Sequence, residues 1–162
     1  MIDYSRPLTF ALLLCLQLPG LTAAADTKSP WGGASEMERI YSKQKVVFNT
    51  TTSSITEVES VLDRASYISK LNDADPFDSK IVIVLHGGAI QFFAAKNYAR
   101  YKRLMERAQS LTVGGTLEFR MCKIAARSQG FLPKDIHGFV AMVPMGDAEI
   151  VQLQKEGFAY MR

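Results

Sequence analysis

Short apolar runs alternate with helix-like segments through most of this chain, and this alternation restricts the fold more than any other feature. The clearest run covers residues 81–85, an unbroken apolar stretch that is typical of a strand buried on both faces. Alternation of this kind predicts an α/β fold with a mostly parallel sheet of about five strands, covered by helices on both faces. Strands are expected at residues 46–48, 81–85, 116–121, 139–143 and 158–161.

Helices are predicted between these strands from apolar residues that recur every three or four positions. Ser54 and Glu57 form a capping-box pattern at the start of the first helix, which is expected to continue to residue 68. A helical region is expected at residues 89–111 with an interruption near Lys96, and a short helix at residues 124–128. Asp147 is predicted to cap a last helix, which Gly157 ends.

The first 25 residues have the pattern of a secretory signal peptide. An apolar run at residues 8–18 is followed by Pro19-Gly20 and then by three alanines at residues 23–25. The run is shorter than the ~20 residues that cross a bilayer, so we expect cleavage after Ala25, no stable membrane insertion afterwards, and a periplasmic or secreted protein. The predicted organisation is a signal peptide at 1–25, an N-terminal tail at 26–44 and one α/β domain at 45–162.

The two cysteines of the sequence limit the kinds of functional site that the mature chain could carry. Cys15 would leave with the signal peptide, and the mature protein would carry Cys122 alone. A single cysteine in an exported protein indicates a reactive thiol or an intermolecular bond, whereas the alternative is a buried core cysteine. The net charge of +3, without a basic block interleaved with aromatic residues, argues against a nucleic-acid partner.

Cys122 and His86 are both predicted at the same edge of the sheet. In an open parallel sheet ligands bind beyond the carboxyl ends of the strands, and each of these residues follows a predicted strand. Arg120 and Lys123 flank Cys122 in the sequence, and a short helix is expected to begin there. Cations and helix amino ends favour the thiolate, so we expect the sulfur to emerge into solvent as a reactive group.

Three residues after the second predicted strand are candidates for a supporting role. His86 would either position an anionic sulfur species or pass a proton, or it would only bond the backbone at the strand end. Gly87 and Gly88 would either expose amides to an anion or allow a tight turn. The potential metal ligands of the chain lack the close spacing of a metal motif, so no metal and no cofactor is expected.

Four segments resemble the DsrE/DsrF-like family of small sulfur-relay proteins. They are residues 45–62, with a first strand, a threonine-rich turn and a helix; residues 81–87, ending in His-Gly; residues 115–122, a strand that ends in Cys122; and residues 143–160. The resemblance implies a compact three-layer fold, assembly as trimers or hexamers, and a Cys122 that accepts sulfur as a persulfide and passes it to another thiol. It implies no cofactor.

Two functions are therefore weighed for this chain. One is an exported, persulfide-carrying sulfur-transfer module that uses Cys122 and exchanges sulfur with a thiol or persulfide partner. The other is a non-enzymatic module that binds a small anion or a protein, with Cys122 as a structural or redox-sensing residue.

Overall fold

The computed structural model describes residues 29–77 and 79–162, so the predicted signal peptide lies outside the described residues. The domain that carries the candidate site comprises Arg39–Arg162, and residues 29–38 belong to a separate unit. Across the described ranges no helix is long and apolar enough to cross a membrane.

The predicted parallel sheet is confirmed. Its five strands are in the order β4-β3-β2-β1-β5, and every neighbouring pair is parallel. Their bounds are β1 Lys45–Thr50, β2 Lys80–Leu85, β3 Leu117–Cys122, β4 Val140–Val143 and β5 Ala159–Met161.

Four α-helices connect these strands, and they lie close to the predicted positions. They are α1 Ile55–Leu71, α2 Tyr98–Thr112, α3 Lys123–Ser128 and α4 Gly146–Lys155. Three 3₁₀ segments, Gly87–Phe93, Ala95–Asn97 and Pro133–Asp135, complete the connections. The expected break near Lys96 is present because Ala94 is extended and forms an isolated bridge with Ile136.

The start of α4 differs from the prediction. Met145 is the extended residue that precedes the helix, so α4 begins at Gly146 and Asp147 lies inside its first turn. The prediction that Asp147 caps this helix was therefore wrong, although a carboxylate in the first turn still interacts favourably with the helix dipole. At α1 half of the predicted capping box is present. Ser54 Oγ accepts a hydrogen bond from the Glu57 amide at 3.4 Å, but the Ser54 amide donates to Thr52 Oγ1 at 3.0 Å.

The sheet is covered on both faces, which gives three layers. One face packs against α1, α2, α3 and the first 3₁₀ segment and forms the larger apolar core around Phe48, Ile83 and Phe119. Because side chains alternate along a strand, the neighbouring positions point to the other face. There Val47 and Val84 pack against Leu153 of α4.

The strands are in a register that brings their carboxyl ends to one edge. Thr50 pairs with Leu85, Leu85 with Met121, and Cys122 with Val143. Residues that end β1, β2, β3 and β4, or follow them directly, therefore meet at this edge, which is where open parallel sheets bind ligands.

Candidate functional site

Cys122 is the last residue of β3 and also the residue that caps α3. Its Sγ accepts a hydrogen bond from the Ala125 amide at 3.4 Å. The thiol is free, but the residue is only 6% exposed. The expectation that the sulfur emerges into solvent was therefore wrong for this chain on its own.

Gly146, the first residue of α4, is one cause of this burial. A Cβ added to Gly146 would lie 3.1 Å from Cys122 Cβ, 3.5 Å from Val84 Cγ1 and 3.6 Å from His86 Cγ. The backbone of α4 thus begins directly against both the thiol side chain and the imidazole. Cys122 and His86 were predicted only to share an edge of the sheet, and the adjacent positions of β2 and β3 place both beside Gly146.

His86 is held by a residue of the adjacent strand. Its Nε2 is hydrogen-bonded to Oδ1 of Asn49, and Asn49 Nδ2 donates to the Tyr160 hydroxyl at 2.9 Å. No sequence pattern marks Asn49 as a partner of His86, because the predicted first strand ends one residue earlier. Continuation of β1 to Thr50 is what turns the Asn49 side chain toward the imidazole.

The two glycines after His86 pack tightly against the loop that precedes α1. Gly87 has a positive φ of 57°, in the left-handed region that favours glycine. The Gly88 amide donates to the Thr51 carbonyl at 2.9 Å, and a Cβ on Gly88 would lie 2.9 Å from Ser53 Cα. Because its amide already has a partner, Gly88 fits the tight-turn interpretation better than the anion-binding one.

Arg120 lies on the same face of β3 as Cys122, but its charge is shared with two carboxylates. It pairs with Glu118 at 2.7 Å and with Glu149 of α4, and Glu118 also pairs with Lys80. Partial burial alone would lower the pKa of Arg120, yet the two glutamates outweigh it and the pKa is raised. Arg120 therefore fastens α4 to the sheet and is not an unpaired cation beside the sulfur.

Lys123, the second cation predicted beside Cys122, is the first residue of α3 and is partly exposed.

A cavity of about 340 Å³ lies near the end of β1. It is lined by Thr50, Thr51 and Thr52 together with Arg64 and other nearby residues. Within residues 29–77 and 79–162, no group of three or more His, Cys, Asp or Glu side chains could hold a metal ion.

The ion pairs around Glu118 predict an acid dependence of stability. Partial burial would raise the pKa of Glu118, but hydrogen bonds and charge attraction from Lys80 and Arg120 outweigh it, so the pKa lies below its usual value of 4.5. A carboxyl with a lowered pKa in the folded state stabilises the fold above its unfolded pKa, and this contribution is lost as the pH falls through the folded value.

We therefore expect the free energy of unfolding to fall below about pH 4.5, and to fall less steeply in Glu118→Gln. Urea unfolding at several pH values measures this difference. Glu36→Gln, at an exposed residue of the tail, is the matched control. Identical pH profiles for the wild type and Glu118→Gln would contradict the prediction.

Comparisons with known proteins agree with this architecture. The model of the DsrE/DsrF-like family matches residues 38–162. A solved structure of a protein of unknown function from Methanobacterium thermoautotrophicum is similar with a TM-score of 0.61 and 23% identity, over 74% of this chain and 99% of that one. At 23% identity, this similarity shows a shared fold and carries no functional argument. A search of curated proteins found no match. Because the family model spans the whole α/β domain, the chain belongs to the DsrE/DsrF-like family.

Proposed function

We propose that this protein is a persulfide carrier, a sulfur-relay module that uses Cys122. The observation that carries the proposal is the setting of the thiol at the carboxyl end of β3. There Sγ accepts a hydrogen bond from the Ala125 amide, and Cys122 and His86 both lie close to Gly146, the first residue of α4. The transfer step needs an ionised sulfur while it attacks, and the Ala125 amide is a donor that can bond that form.

The transfer step needs no oxidant or reductant. Cys122 loses its proton, and the thiolate attacks the outer sulfur of a donor persulfide, R–S–SH. A new S–S bond forms on Cys122 while the donor's S–S bond breaks. The donor keeps that electron pair and takes up the proton as R–SH, so the products are Cys122 persulfide and a thiol. The same step in reverse delivers the sulfur to an acceptor thiol.

The burial of Cys122 favours one alternative, a non-enzymatic module in which the cysteine is structural. At 6% exposure the thiol is accessible only to small reagents unless the start of α4 moves. Incubation with polysulfide followed by intact mass measurement separates the two functions. A carrier gains sulfur on Cys122 and loses it to an added thiol, whereas a structural cysteine gains none.

The proposed partners are a protein that donates sulfur as a persulfide and a protein that accepts it on a thiol. A homo-oligomer, trimeric or hexameric, is proposed by analogy with the family.

The proposed location is outside the cytoplasm, and its support is the leader-like pattern of residues 1–25. Expression in a bacterium, followed by fractionation and N-terminal sequencing, tests this. We expect a periplasmic chain that begins at Asp26, and a full-length chain in the cytoplasm would contradict export.

A further inference from the structure

The imidazole of His86 belongs to a chain of hydrogen bonds that crosses three strands. Tyr160 of β5 accepts a hydrogen bond from Asn49 Nδ2, and Asn49 Oδ1 is bonded to His86 Nε2. With the amide oxygen of Asn49 placed against Nε2, this nitrogen is the donor, since an amide oxygen can only accept. In the neutral ring Nδ1 is then the nitrogen with the free lone pair.

Nδ1 of His86 lies in the same part of the site as Cys122. His86 Cγ and Cys122 Cβ each lie within 4 Å of the same point, the position that a Cβ on Gly146 would occupy. Within the described residues, Nδ1 has no hydrogen-bond partner and the only one of Sγ is the Ala125 amide. Nδ1 is bonded to Cγ, the ring atom that lies near this shared point, and it is free to accept a hydrogen bond.

We propose that Asn49 is a positioning residue, which holds His86 with its proton on Nε2 so that Nδ1 accepts the proton that Cys122 releases. Because the two side chains are not directly hydrogen-bonded, the proton passes through one bridging water or after rotation about χ1 of Cys122. The role as proton acceptor rests on the proposed function, whereas the tautomer can be measured whether or not sulfur is transferred.

The chemistry of an amide suits this role. A carboxylate at position 49 would also accept from Nε2–H, but its charge would favour the imidazolium form, which has no lone pair to offer. The charged groups of this face, Arg120, Glu118 and Glu149, are paired with one another. The neutral amide of Asn49 therefore selects one tautomer of the His86 imidazole without favouring the charged form of that ring.

The test combines a spectroscopic readout with a kinetic one. The chain has only two histidines, so ¹⁵N NMR of the imidazoles gives two sets of signals, which His137→Gln assigns. We expect neutral His86 to be protonated on Nε2 in the wild type and to be a mixture of tautomers in Asn49→Ala. Both measurements use the full chain with Cys15→Ser, so that Cys122 is its only thiol.

Alkylation of Cys122 by iodoacetamide supplies the kinetic readout. We expect the rate constant to fall about tenfold in Asn49→Ala, a fraction of what a positioned base contributes. In a His86→Gln background the same substitution should have no further effect, because Asn49 acts only through the imidazole. Asn97→Ala is the matched control and should leave the rate unchanged, because it removes another side-chain amide, one that donates to the Gln91 carbonyl and not to a side chain.

Two outcomes would overturn the positioning role. One is a neutral wild-type His86 that is protonated on Nδ1. The other is an alkylation rate constant that Asn49→Ala lowers as much in the His86→Gln background as in the wild type. If the tautomer and the coupling are as expected but polysulfide adds no sulfur, the proposed function fails and the positioning role stands. If sulfur is loaded but the substitutions at Asn49 and His86 act independently, the positioning role fails and the proposed function stands.

Discussion

Replacement of Cys122 by serine is expected to abolish sulfur loading completely. Serine has nearly the same shape, and its hydroxyl can accept the Ala125 amide as Sγ does, so the fold should be retained. A hydroxyl cannot form the S–S bond that carries the transferred sulfur. After incubation with polysulfide, the mass spectrum should show an added sulfur on the chain with Cys15→Ser and none on the chain that also carries Cys122→Ser.

The control for this experiment is the thermal unfolding of both chains, which should have similar midpoints. Equal sulfur gain by the two chains would place the modification elsewhere and contradict the proposed function. The absence of gain in the chain that retains Cys122, under conditions that load small thiols, would favour the alternative of a structural cysteine.

The second large effect is expected at Gly88. An alanine Cβ there would lie 2.8 Å from Ser53 Cβ and 2.9 Å from Ser53 Cα, and a backbone atom cannot move away as the end of a flexible side chain can. Overpacking of this kind costs about 1–3 kcal/mol. In a domain of this size the midpoint of thermal unfolding should fall by several degrees, at roughly 2–8 °C for each kcal/mol.

Gly114→Ala is the matched control, because a Cβ at Gly114 meets nothing within 4 Å. Circular dichroism during heating compares the two variants. Addition of Ser53→Gly to Gly88→Ala removes part of the clash and should recover part of the loss. An unchanged midpoint in Gly88→Ala would show that the loop before α1 yields without cost, and would contradict this account of Gly88.

The sequence predicted the sheet well because its signal is local. The run at residues 81–85 is apolar at every position, and β2 is indeed buried along that run. The placement of Cys122 and His86 at one edge followed from parallel strands alone. The break before α2 was equally predictable, since the apolar spacing fails near Lys96.

The details of the site depended on contacts between distant segments, which no local pattern reports. Arg120 is close to Cys122 in sequence, but its pairing with Glu149 depends on where α4 crosses the sheet. The burial of Cys122 depends on Gly146, which comes from the same crossing. The partnership of Asn49 with His86 requires the register between β1 and β2, which hydrophobic periodicity alone does not determine.

The polar groups of the site come from three adjacent strands or their ends: Asn49 from β1, His86 after β2 and Cys122 from β3. Backbone hydrogen bonds between these strands hold their spacing in the free protein. A site that is preorganised in this way loses little conformational entropy on binding. For the proposed sulfur transfer, the sheet would thus hold the backbone of all three residues in place, and only side-chain adjustments would remain.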